Sequence, residues 1–171
     1  MKKKMNIIDE LSVKMLGGTM EDKTKVEEYV LQQIDRLEDI NLKGRDGRTL
    51  LIHSCIYDYY AIAERLIKMN ASVNIQDDQG YSALHMAVLS KDIDIVMLLL
   101  NHGASANLSD VYGNNPSTQA LRNWDLLRIL MEYGCDVYHK NIAGVSAYDV
   151  FKHNPEIMDQ FQKYVNTETH G

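Results

Sequence analysis

Apolar residues recur along this chain at the spacing of one helical face. Near the N-terminus Ile8, Leu11 and Met15 stand at i, i+3 and i+7, a single stripe on a helix that Gly17-Gly18 ends. Thr24, with Glu27 three residues on, reads as a capping box opening a second helix whose apolar face continues through Val30, Ile34 and Leu37. Further along, one stripe is written three times, as Ile62, Leu66 and Ile67, then Ile95, Leu99 and Leu100, then Leu126, Leu130 and Met131. A helix cannot bury such a stripe alone. The pattern therefore predicts stacked units stabilised mainly by the interfaces between neighbours.

Glycines give the period. Gly47, Gly80 and Gly113 are 33 residues apart and Gly144 follows after 31, while Asn41, Asn74 and Asn107 each fall six residues before one of them. Asn70, Gly103 and Gly134 stand where a second helix must end in a left-handed residue. After Gly80 comes Ser82-Ala83-Leu84-His85-Met86-Ala87, with weaker counterparts at Thr49-Leu50-Leu51-Ile52-His53-Ser54, Asn115-Pro116-Ser117-Thr118-Gln119-Ala120 and Ser146-Ala147-Tyr148-Asp149-Val150-Phe151. On these residues the chain resembles the ankyrin-repeat family, which has a period of about 33 and a T-P-L-H-x-A signature. The resemblance covers roughly residues 38–165.

The resemblance implies an all-α ankyrin-repeat α-solenoid, with β-hairpin fingers, antiparallel helix pairs and helical caps at both ends. Residues 1–40 are then an N-terminal helical cap, and 41–171 one continuous repeat domain with units near 44–76, 77–109, 110–140 and 141–165. Each unit is expected to contain a finger, a first helix and a second helix, with Leu51, Leu84, Ser117 and Tyr148 equivalent on the first helices. His85 takes the family's hydrogen-bonding role where hairpin meets helix. Ile157, Met158 and Phe161 keep the inner stripe while Gln160 and Gln162 are polar, the mark of a C-terminal cap. The third unit lacks two residues between its helices, and Trp124 is expected to pack into that shortened turn.

Composition narrows the function. Formal net charge is −6, yet the first 45 residues hold nine basic and nine acidic residues, so the excess acid belongs to the repeats. That balance disfavours a nucleic-acid duplex or a membrane surface as partner. No apolar run is long enough to span a bilayer, and Met1-Lys2-Lys3-Lys4 leads into a segment too short and charged for a signal peptide, so a cytoplasmic monomer is expected. Cys55 and Cys135 have no nearby Cys partner and read as buried thiols. The six His show no metal-ligand spacing, and no phosphate loop or nucleophile elbow is present. A non-enzymatic protein with no metal and no cofactor is expected.

Contact positions carried over from the resemblance fall on the fingers and the ends of the first helices. They are Arg45, Arg48 and Tyr57 in the first unit, Gln79 and Tyr81 in the second, Val111, Tyr112 and Asn114 in the third, and Ile142 and Val145 in the fourth. Arg48, Tyr81, Asn114 and Val145 hold equivalent places and are expected to form one ladder. Ten Tyr against two Phe suits a surface that is wet when free and dry when bound. The expected function is binding of one protein partner in a concave groove, as in small bacterial immunity or inhibitor proteins of this kind. The alternative is a nucleic-acid-associated regulator using the basic N-terminal end, Lys43, Arg45 and Arg48.

Overall fold

Each predicted stripe is a helix in the computed structural model, which describes residues 7–17 and 20–168. Among these residues there are nine α-helices, one 3-10 turn and an isolated bridge between Gln76 and Ser82, with no strand. The chain divides into two compact units, residues 1–104 and 105–171.

The first unit holds α1 (Ile7–Gly17), α2 (Met20–Ile34), α3 (Leu50–Ile56), α4 (Tyr60–Lys68), α5 (Ala83–Ser90) and α6 (Ile93–Asn101). Helix α1 packs on α2 and α3, α2 on α4, α3 on α4 and α5, and α6 on α4 and α5. The stripes meet in one core: Ile8, Leu11, Val30, Ile34, Ile62, Leu66, Leu84, Ile95 and Leu99 are fully buried. Recurrent Asn residues tie successive repeats, the Asn74 amide donating to the Gly103 carbonyl at 3.0 Å and the Asn41 side chain accepting from Ser72 N–H at 2.8 Å. Helix α1 ends at Gly17, and Gly18 lies outside the described residues. The Thr24 capping box is corrected: α2 begins at Met20, with Asp22 in a first turn that favours negative charge, so Thr24 lies inside the helix. Leu37 is likewise beyond its end, in a turn closed by its N–H on the Ile34 carbonyl at 3.0 Å.

Helices α1 and α2 cover the apolar face of the first repeat, and the Tyr59 hydroxyl, itself buried, donates to the Met15 carbonyl at 3.4 Å. Deleting residues 1–37 is therefore expected to make the chain self-associate, with light scattering as the readout. A truncated chain that stayed monomeric with an unchanged melting curve would contradict a capping role.

The second unit holds the 3-10 turn Pro116–Thr118, α7 (Trp124–Glu132), α8 (Ala147–Phe151) and α9 (Pro155–Glu168). Here the expected first helix is reduced to that single turn. Ser117 and Thr118 spend their hydroxyls on local bonds, to the Asn115 side chain at 2.6 Å and the Asn115 carbonyl at 2.9 Å, a competition that favours turns over helix. Two missing residues also bring Asn123, the N-cap of α7, too close for another helical turn. Trp124 is not packed into the turn. It opens α7 and meets Tyr164 of α9 edge to face, ring centroids 6.2 Å apart. At the C-terminal end Tyr148, Phe151 and Phe161 form an aromatic cluster with Phe151 and Phe161 at 5.3 Å, while Gln162 faces water.

Candidate partner-binding site

The fingers are built from one repeated device. The carboxylate of Asp77 accepts from Gln79 N–H and Tyr81 N–H, both at 2.9 Å; that of Asp110 accepts from Tyr112 and Asn114 N–H, both at 2.9 Å; and the amide oxygen of Asn141 accepts from Ala143 and Val145 N–H at 3.0 and 3.1 Å. Each brace is followed three residues later by a glycine at φ 79°, 80° or 74°, a conformation side chains resist. Sequence reading did not single out these bracing residues, although an Asp or Asn stands three places before three of the four period-marking glycines, Gly80, Gly113 and Gly144.

The first finger has Gly44 where the others have Asp or Asn. A carboxylate from another element meets this finger at a different amide: Asp9 of α1 accepts from Arg45 N–H at 2.7 Å, and a Cβ on Gly44 would lie 2.6 Å from the same oxygen. Helix α1 thus holds the first finger as well as covering the core. Neighbouring tips are joined by backbone bonds, Asp78 N–H to the Asp46 carbonyl at 3.1 Å in the first unit and Ile142 N–H to the Tyr112 carbonyl at 2.9 Å in the second.

The first helices are launched by caps. Thr49 accepts from Ile52 N–H at 3.3 Å, Ser82 and His85 form a reciprocal box, and Ser146 and Asp149 form another. Asp149 thereby does in the last repeat what the signature His does in the second. Hydrogen bonds from Lys152, and then from Ser146, hold its carboxyl well below the usual range.

The predicted contact residues differ in how the fold uses them. Arg48 is committed internally, its Nε 3.0 Å from a carboxylate oxygen of Asp77 whose side chain is 1% exposed. Tyr57 is half-buried and stacked on His53 at 6.1 Å, and Tyr81 is half-buried with its ring edge-on to His85 at 5.6 Å. Asn114 donates to Asp110 and accepts from the Asn141 amide at 2.9 Å. Arg45 and Gln79 have exposed side chains. Val111, Tyr112, Ile142 and Val145 are exposed too, with Tyr112 at 61% and Ile142 at 79%. The first unit accordingly presents charged and polar tips, and the second apolar ones.

His53 lies beneath the first finger, 8% exposed. Burial first, then the Arg48 guanidinium, pushes its pKa down from 6.5 to about 4, against opposing pulls from Asp9, Asp46 and Asp77. Below pH 6.5 the unfolded chain takes up a proton that the folded chain refuses, so stability present at neutral pH is lost as pH falls toward 4. Between pH 7 and pH 5 this one group should cost about 2 kcal/mol. Urea unfolding at both pH values, compared with His53→Gln, measures it, and an equal acid loss in the variant would contradict the assignment. Burial also pushes the thiols of Cys55 and Cys135 up, to about 12 and about 11, which leaves them unreactive at neutral pH.

The profile of ankyrin repeats (three copies) matches residues 21–110 and again 59–141. The chain belongs to the ankyrin-repeat family, an all-α family whose repeats are generic protein–protein interaction modules. A putative ankyrin repeat protein of Acanthamoeba polyphaga mimivirus is 29% identical over 99 residues, 57% of this chain and 13% of that protein. Potassium channel AKT2/3 of Arabidopsis thaliana is 31% identical over 116 residues, 64% of this chain and 14% of the channel. BCL-6 corepressor-like protein 1 of Homo sapiens is 35% identical over 104 residues, 59% of this chain and 6% of that protein. The chain thus spans at most 14% of the length of these relatives. Among the described residues no helix is long and apolar enough to cross a membrane.

Proposed function

We propose that this chain binds one protein partner through its finger tips and first-helix ends and performs no catalysis of its own. Residues 1–40 act as the helical cap and 41–171 as the binding repeats. The observation that carries this reading is the pair of neighbouring tips in the second unit, where Tyr112 and Ile142 stand exposed on a rigid, internally braced backbone. Large apolar groups held in water at fixed positions gain most when a partner covers them, and a braced backbone loses little entropy in the process. Val111 and Val145 extend that apolar area. In the first unit Arg45, Gln79, Tyr57 and Tyr81 supply polar contacts, and Arg48 contributes mainly by holding the second finger through Asp77. An inhibitory role, as in an immunity protein, is the form of this function in which titration with the chain lowers the partner's activity.

The test is to capture the partner by crosslinking and compare hydrogen exchange of the chain free and bound. New protection is expected across 45–48, 79–81, 111–114 and 142–145. Protection confined to α4, α6, α7 and α9 would contradict the assignment of the surface.

A further inference from the structure

The bond that joins neighbouring finger tips recurs at one place in the repeat. Asp78 N–H donates to the Asp46 carbonyl in the first unit and Ile142 N–H to the Tyr112 carbonyl in the second, each donor two residues before a period-marking glycine and each acceptor one residue before. On the fourth finger the acceptor at that place is the Ala143 carbonyl, and among the described residues no N–H reaches it. A second observation marks the same edge as open. A Cβ on Gly47 would lie 2.9 Å from Asp78 N and one on Gly113 would lie 3.1 Å from Ile142 N, because the next finger is seated there, whereas one on Gly144 would meet nothing within 4 Å. Ile142, Ala143, Gly144 and Val145 are all exposed.

This edge offers acceptors only. Every N–H from Ile142 to Val145 is spent inside the unit: that of Ile142 on Tyr112, those of Ala143 and Val145 on the Asn141 side chain, and that of Gly144 on the Asn141 carbonyl at 2.8 Å. A partner must therefore donate. On the first finger the equivalent donor is Arg45 N–H, which Asp9 of α1 already holds at 2.7 Å. The first finger of a second copy, stacked end to end on the fourth, thus has no N–H to give, which points to a different chain.

We propose that the Ala143 edge takes a main-chain N–H from an extended segment of the protein partner, laid beside Ile142 and Val145 as a further finger would be. This rests on the protein-binding function proposed above and names the kind of partner surface that the apolar tips fit. Unpaired edges recruit extended segments in this way, main-chain bonds supplying affinity and the neighbouring side chains selectivity. Ile142, 79% exposed in the free chain, and Val145 keep water off the new bond, which strengthens it. Gly144, with no Cβ on this edge, lets the incoming backbone come as close as Asp78 and Ile142 come to Gly47 and Gly113.

The experiment uses the full chain labelled with carbon-13 and nitrogen-15, titrated with N-acetyl-alanyl-valyl-alanine methylamide at constant ionic strength and followed at the Ala143 carbonyl carbon. Two comparison compounds are used. One is the same tripeptide methylated on every backbone nitrogen, which keeps the apolar groups and loses every N–H; the other is n-butylammonium chloride, a side-chain cation without a main chain. A saturable shift is expected with the unmethylated tripeptide, at the millimolar half-saturation of a short contact, and none with either comparison compound. Gly144→Asn, which tolerates a positive φ while filling the edge, should abolish the shift, and Gly134→Asn, the same change at φ 78° beyond the end of α7, should leave it. If Gly144→Asn alters the circular dichroism of the free chain, the methylated tripeptide decides alone. No saturable shift, or an equal one with either comparison compound, overturns the proposal. If a protein complex forms while the tripeptide fails, only the edge assignment falls. If the tripeptide saturates the edge and no protein partner binds, only the protein-binding function falls.

Discussion

Leu99→Ala is expected to destabilise the chain by about 2–5 kcal/mol, the range for truncating a fully buried Leu. Leu99 has no solvent exposure and sits on the inner stripe of α6, which packs on both α4 and α5. Removing its side chain takes away the transfer free energy of the lost atoms and leaves a cavity that two flanking helices can close only in part. The loss is large because a repeat has no separate core of its own. Its stability is shared with the helices packed against it, so a gap in one interface weakens its neighbours in the same unit as well. Leu89→Ala is the matched control: the same chemical change at a side chain 59% exposed at the end of α5 should fall within about 0.5 kcal/mol of the parent. Urea unfolding of the two variants separates buried from exposed positions. Equal midpoints for Leu99→Ala and the parent would mean that the register of α6 is misassigned.

The repeats were legible because their marks obey hard backbone constraints. Asn70, Gly103 and Gly134 all have positive φ, as do Gly47, Gly80, Gly113 and Gly144, so the period read from glycines is a period of left-handed residues. The stripes Ile62, Leu66, Ile95, Leu99, Leu126 and Leu130 were legible for a second reason: burial admits few alternatives to a large aliphatic side chain. What sequence did not give was the use of polar groups across long separations. Nothing in the spacing announces that Asp9 of α1 accepts from Arg45 N–H beside Gly44, or that Asp77 takes the Nε–H of Arg48. Residue type alone also could not distinguish Tyr57 and Tyr81, which pack on histidines, from the exposed Tyr112. Thr24 misled because a capping pair is equally at home inside a helix that began one turn earlier.

Simultaneous truncation of Tyr112 and Ile142 to Ala is expected to lower partner affinity by about 2–4 kcal/mol, the cost of losing interface anchors. These two side chains offer the cleanest separation of binding from folding. They are the most exposed of the apolar and aromatic predicted contacts, and their finger backbones are held by Asp110 and Asn141 whatever side chain is present. Free-chain stability should therefore change by no more than about 0.5 kcal/mol. Arg65→Glu and Arg128→Glu, on α4 and α7, alter charge away from the fingers and should leave affinity within about 0.5 kcal/mol of the parent. Isothermal titration calorimetry of the captured partner against the parent, the double truncation and the two charge reversals is the most direct measurement. The predicted result is a 2–4 kcal/mol loss, in order of magnitude, for Tyr112→Ala with Ile142→Ala alone. Unchanged affinity for that pair, together with a comparable loss in Arg65→Glu or Arg128→Glu, would contradict binding at the fingers.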